Sequence, residues 1–121
     1  MSRGRHLLGQ HGEALAEAHL TAEGYRVLAR NFRCRFGEVD LVADHGGVVV
    51  FVEVKTRRGG RAGTGAEAVG PFKRRRLVQA ARYFLAVHGL AAAPCRFDVV
   101  SLDVGAAGTR VEVLRDAFPA Q

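Results

Sequence analysis

Cysteine is scarce in this chain: Cys34 and Cys95 are its only two, and they stand far apart. Neither a disulfide framework nor a zinc site can be built from them. Long hydrophobic runs are missing as well. No apolar stretch approaches the ~20 residues that span a bilayer, and the opening Met1-Ser2-Arg3-Gly4-Arg5 leads into no signal-peptide core. A cytoplasmic protein with reduced thiols and no membrane partner is the expectation. There is no internal repeat and no shift of composition that marks a boundary. At 121 residues, 48% of them hydrophobic, the chain suits a single core and is too short for two. One domain over 1–121 is expected, with an ordered core at about 9–116.

Acidic residues are in the minority, 12 against 18 Lys and Arg, so the net charge is +6. The excess is clustered in Lys55-Thr56-Arg57-Arg58, in Arg61, and in Lys73-Arg74-Arg75-Arg76. Basic clusters of this kind suit a polyanion, most simply nucleic-acid phosphates.

Few as they are, the acids fall in unexpected places. Val48-Val-Val-Phe-Val-Glu53-Val54 is apolar on both faces, the pattern of a central strand covered on both sides. A charge there costs roughly several kcal/mol unless it is paired or holds an ion. Upstream lies Gly37-Glu38-Val39-Asp40-Leu41-Val42, and between the two runs Gly46-Gly47 makes a two-residue hairpin loop. With that loop, residue 45 faces 48, Asp40 faces Glu53, and Glu38 faces Lys55; a four-residue loop would shift the pairing by two and leave all four groups on one face. Directly opposed Cβ atoms are about 4.5–5.5 Å apart, and residues two apart on one strand share a face at roughly 6.6 Å. Two opposed carboxylates repel each other without a cation and become a ligand pair with one.

The remaining elements follow simply. A helix over 10–23 ends at Gly24, and Tyr25 to Phe32 is a first strand. Strands over 38–44 and 48–56 form the hairpin, and glycines punctuate a flexible loop over 57–70. A second helix covers about 71–88 with Pro71 in its first turn. Arg96 to Val104 and Thr109 to Leu114 are strands, with the tail after Ala117 loose. On the second helix Leu77, Ala80, Ala81, Phe84 and His88 share the sheet-facing side. Arg75, Gln79, Arg82 and Tyr83 share the other, with Arg76 beside them, a mixture that suits phosphates and bases together. Gly63-Thr-Gly65-Ala-Glu-Ala68 matches a dinucleotide fingerprint but lacks its strand–turn–helix setting, so no nucleotide cofactor is expected. His6, His11 and His19 do not have metal-site spacing.

The order αβββαβ, with Asp on the second strand and Glu-x-Lys on the third, resembles the restriction-endonuclease-like PD-(D/E)xK fold. More narrowly, Gly9-Gln-His-Gly12-Glu13, Arg30-Asn31-Phe32-Arg33 through Val42, and Phe51 through Arg57 resemble the YraN family of predicted endonucleases. That family is similar to archaeal Holliday-junction resolvases. The resemblance implies an α/β fold whose mixed central sheet is flanked by helices, and Mg²⁺- or Mn²⁺-dependent cleavage of branched or structured DNA. It implies Asp40, Glu53 and the Val54 carbonyl as metal ligands, with Lys55 serving the attacking water. Glu13 corresponds to a first-helix Glu that completes the metal site; its position on the helical wheel leaves open a plain role at a helix start. Gln79-Ala-Ala-Arg-Tyr83 resembles the Gln-x-x-x-Tyr motif of RecB-type nucleases. One departure is that Val39, preceded by Glu38, replaces the usual Pro before Asp, which adds Glu38 to the candidates.

These residue types match the chemistry. A divalent ion held by hard carboxylate oxygens acidifies water and offsets charge growing on a phosphodiester. A nearby lysine adds positive charge where the transition state is most negative. Arg30, Arg57, Arg58, Arg61, Lys73, Arg75, Arg76 and Arg82 are the expected phosphate contacts. A two-fold homodimer would suit symmetric cutting of a junction. The alternative is a nucleic-acid-binding module of the same fold with little or no cleavage of its own.

Overall fold

Apolar residues alternating along the central strands need cover on both faces of one sheet. The computed structural model describes residues 3–58 and 69–120. Arg61, most of the glycine-rich loop expected over 57–70, and the fingerprint at 63–68 lie outside the described residues. The elements in chain order are α1 (Arg3–Ala22), β1 (Arg26–Cys34), β2 (Gly37–His45), β3 (Val48–Arg58), α2 (Pro71–Val87), β4 (Cys95–Gly105) and β5 (Gly108–Phe118). The strands form one sheet in the order β1-β2-β3-β4-β5. All neighbours are antiparallel except β3 and β4, which run parallel. This is the mixed α/β architecture with the expected αβββαβ order, followed by one further strand.

Strand β3 sits at the centre and separates two cores. Val49 and Phe51 pack on the α2 side with Leu77, Phe84, Phe97 and Phe118. Val50 and Val52 pack on the α1 side with Ala16, Leu20, Leu41 and Val100. The β2–β3 turn is the anticipated one: Gly46 and Gly47 both take positive φ, 62° and 90°, and His45 pairs with Val48. Gly24, at φ 93°, follows the end of α1, where the Tyr25 N–H donates to the Leu20 carbonyl at 3.0 Å.

Two boundaries and one side chain differ from expectation. Helix α1 begins at Arg3 and not near residue 10. His88, expected on the sheet-facing side, is the exposed C-cap of α2 and stacks on Phe84 at 4.0 Å. Strand β5 continues past Leu114, its expected end, to Phe118, the first residue of the tail expected to be loose. It does so by a register shift opposite Phe97 to Val99, with Asp116 at φ 53°. The shift brings Phe118 back onto Phe97, ring centroids 5.0 Å apart. It also aims the Asp116 N–H at Asp98, whose carboxylate is fully buried. Asp98 further accepts from the Tyr25 hydroxyl at 2.7 Å and from Arg96 at 3.0 Å. Arg96 in turn reaches His45 Nδ1 at 2.8 Å. A buried charge so fully paired is a structural tie among β1, β2, β4 and β5.

Phe118 is only 4% exposed, so Phe118→Ala should lower unfolding free energy by about 3 kcal/mol in urea titration. A loss below about 0.5 kcal/mol would mean the tail does not belong to the core.

Candidate active site

The hairpin register places the carboxylates, and a break in the ladder makes room for them. Strands β2 and β3 pair from His45–Val48 to Leu41–Val52, as the two-glycine loop dictates, and the pairing stops there. Asp40 and Glu53 come next. The Asp40 side chain takes over from the backbone, its Oδ2 accepting the Val54 N–H at 2.8 Å. Val39 and Val42 both join the α2-side core while Leu41 joins the other, so strict alternation fails at the same point.

Glu53 follows Val49 and Phe51 on the α2 side and is only 5% exposed. Its Oε2 lies 3.4 Å from Lys55 Nζ and in direct contact with Lys73 Nζ, which α2 brings in from above. Two lysines thus converge on one carboxylate oxygen. They are affected in opposite ways. Burial, reinforced by the neighbouring Lys73, lowers the pKa of Lys55. Burial also opposes the charge on Lys73, but its bonds to Glu53 and Lys55 outweigh this and hold its pKa above the ordinary value. Burial, then the negative charge of Glu53, pushes the Asp40 carboxyl from 3.8 up to about 7, against the pull of the Val54 N–H.

Glu13 faces this cluster. Burial and the charges of Glu38 and Glu53 raise its pKa, and a hydrogen bond from Asn31 opposes them. Two local features hold it there. Gly12 packs α1 so closely on β3 that a Cβ would collide with the Thr56 hydroxyl. Asn31 adopts a left-handed conformation, φ 51°, uncommon outside glycine.

Glu38 corrects an expectation. It does not pair with Lys55: the ladder has ended by Leu41, and Glu38 turns to Arg33 on β1 at 3.0 Å. Gln79 and Tyr83 are exposed on α2, Tyr83 tilting against Phe32 and Phe36 at 6.3 and 6.1 Å. Among the described contacts neither meets Asp40, Glu53 or Lys55. Of the expected phosphate contacts, Arg30 is engaged by Glu17 of α1 through a two-pronged pair at 2.7 and 2.5 Å. Arg57 and Arg58 end β3, Arg75 and Arg82 lie exposed on α2, and Arg76 donates to the Phe36 carbonyl at 2.8 Å. The pairing of Lys73 with Glu53 was not anticipated. The signal was present, since Lys73 precedes Leu77 by four residues and so shares the sheet-facing stripe of the helix.

Among the described residues no group of three His, Cys, Asp or Glu side chains is gathered as a ready metal cage. Asp40 and Glu53 nevertheless fit a hard divalent cation. Both offer carboxylate oxygen, and the charge of Glu53 resists ionisation of Asp40, a strain that a cation relieves. Mg²⁺ often uses one or two carboxylates and keeps several waters, so a full protein cage is not required.

The αβββαβ core, with Asp on the second strand and Glu-x-Lys on the third, is a mixed α/β fold with a five-stranded sheet and two helices, the arrangement the motif resemblance implies. The sequence profile of the uncharacterised protein family UPF0102 matches residues 12–102. The chain is 53% identical to a UPF0102 protein of Symbiobacterium thermophilum over 93% of its own length and 97% of that protein's. It is 48% identical to one from Moorella thermoacetica, over 98% of this chain and all of the relative. The chain therefore belongs to the family UPF0102, the YraN family its motifs resemble. Among solved structures it is similar to Pyrococcus furiosus SfsA in complex with Ca²⁺, at 15% identity and a TM-score of 0.40. That similarity covers 92% of this chain and 62% of SfsA, so the chain spans about three fifths of that protein. No described helix is long and apolar enough to cross a membrane.

The raised pKa of Asp40 makes stability depend on pH. The folded state keeps a proton that the unfolded chain releases near 3.8, so stability falls as pH rises from about 4 to 7. Asp40→Asn removes that loss. Urea unfolding without metal should show the variant more stable than wild type above pH 7, by roughly 2–4 kcal/mol at most, and the gap closing toward pH 4. A variant less stable at pH 8 would make Asp40 a structural partner only.

Proposed function

We propose that this protein is a metal-dependent DNA endonuclease that hydrolyses phosphodiesters in branched or structured DNA. The observation that carries the reading is the convergence of Asp40, Glu53 and Lys55 at the point where the β2–β3 ladder opens. Buried carboxylates of like charge destabilise a fold, and their placement together calls for a positive ligand. A Mg²⁺ or Mn²⁺ ion would be held by Asp40, Glu53 and the Val54 carbonyl, with Glu13 at its edge. When bound, such an ion supplies positive charge against the transition state and increases the acidity of water.

The residues of the chain itself do the rest. Lys55 stands beside Glu53 with a lowered pKa. It is therefore suited to hold an attacking water, take its proton or steady charge on phosphorus. Arg57, Arg58, Arg75, Arg76 and Arg82 would hold the DNA backbone, and Lys73, now paired with Glu53, would be free to meet a phosphate if that carboxylate held the ion. The Lys73–Glu53 pair also favours a second reading. If the lysine stays in place, the protein is a nucleic-acid-binding module with little or no cleavage of its own.

Incubation of the full chain with Mg²⁺ or Mn²⁺ and labelled DNA junctions, flaps and linear duplexes separates the two readings. Cleavage should appear with wild type and fall about 100-fold or more in Glu53→Ala and Lys55→Ala. Lys55→Arg should not restore it, because a guanidinium cannot give up a proton at neutral pH. Affinity for DNA in Ca²⁺ should fall only slightly in Lys55→Ala. Binding without cleavage under every condition would favour the module.

A further inference from the structure

Beside the carboxylates lies a groove of about 530 Å³. One wall is the β1–β2 corner, with Arg33, Cys34, Gly37 and Glu38; the other is the first two turns of α2, with Phe72, Lys73, Arg76 and Leu77. Lys73 lines the groove and touches Glu53, so the groove opens directly onto the candidate active site. Phe72 stands at its mouth, 66% exposed, the most exposed of the large hydrophobic side chains described. Arg76 is fixed next to it, with its guanidinium 5.8 Å from the Phe72 ring centroid and its Nε bonded to the Phe36 carbonyl.

Two features identify the occupant. A large exposed aromatic ring beside arginines offers a stacking face together with cations, which is how unpaired bases and their phosphates are held. The start of α2 is also unusually positive. Gly70 supplies no side-chain cap, the first turn has no acid, and residues 73–76 are all cationic. A helix start already favours anions, so these cations gain from an added phosphate chain. An apolar peptide would bring no negative charge to this positive helix start, and a second copy of a chain carrying +6 would be repelled by it. The volume is that of a small-ligand pocket and takes one nucleotide, not a duplex.

Building on the nuclease reading above, we propose that this groove receives one unpaired base of a DNA strand, stacked on Phe72, with Arg33 and Arg76 on the adjoining phosphates. In continuous duplex the base must first leave its stack, which cancels the gain. At a flap, a branch or a single-stranded end it is already free. The groove therefore selects DNA with unpaired nucleotides next to the phosphate that faces Glu53.

The test uses the full chain in Ca²⁺. Its probes are a flap carrying 2-aminopurine in the unpaired arm and a blunt duplex of the same length. Phe72→Ala should weaken flap binding about tenfold, abolish quenching of the 2-aminopurine and leave duplex affinity unchanged. Phe72→Trp should restore both flap affinity and quenching. Equal affinities of wild type and Phe72→Ala for the flap, or an equal loss for flap and duplex, would overturn the proposal. So would a change of oligomeric state in Phe72→Ala by analytical ultracentrifugation, which would make the groove an interface between copies. The readout is binding, so a protein that never cuts DNA can still pass this test, and one that cuts duplex readily can fail it.

Discussion

The bond from the Val54 N–H to the Asp40 carboxylate governs the architecture around the site. By giving the β3 backbone a side-chain acceptor where the β2 backbone would otherwise pair, it ends the ladder without leaving a buried donor unsatisfied. The ladder end in turn lets Glu38 swing to Arg33 and leaves Glu53 open toward α2. Among the described residues no buried side-chain nitrogen or oxygen lacks a partner. The site is therefore a region of high charge density held in a fully bonded frame.

Charge balance at Glu53 is the second organising feature. Lys55 comes from the same strand and Lys73 from the helix, and both meet a single carboxylate oxygen. The two are not equivalent. Lys73 is closely matched to Glu53 and held charged, while Lys55, more weakly paired and beside another cation, is the one whose proton is loosened. One lysine is thus suited to electrostatics and the other to proton transfer. The division arises from position alone, since the residue type is the same.

Much of this was legible in the sequence because it depended on short-range rules. The Gly46-Gly47 loop fixes the register of the hairpin, the apolar run over 48–54 marks the central strand, and Pro71 starts the second helix. Contacts that cross the chain left no such trace. The Asn31–Glu13 bond and the bonds of Tyr25 and Asp116 to Asp98 join residues distant in sequence, and no periodicity announces them; the helical stripe places Lys73 toward the sheet but does not name Glu53 as its partner. Phe118 was missed for a related reason. Asp116 and the register shift interrupt the alternation of β5, so the last part of the strand does not look like one. Glu38 was assigned a partner by extending a regular ladder beyond the point where Asp40 ends it.

The order of elements along the chain also bears on how the charges come to be buried. Glu13, Asp40, Glu53 and Lys55 all belong to α1 and the β1-β2-β3 meander, whose strand pairings are between neighbours in sequence and close early. The parallel β3–β4 pairing requires a long crossover and forms later. Until then the face of β3 that carries Glu53 is open to water, and its charge costs little. Docking of α2 covers that face with Leu77 and Phe84 and delivers Lys73 in the same movement. The helix that dehydrates the carboxylate is the one that neutralises it, so covering Glu53 and pairing it are a single packing event and not two.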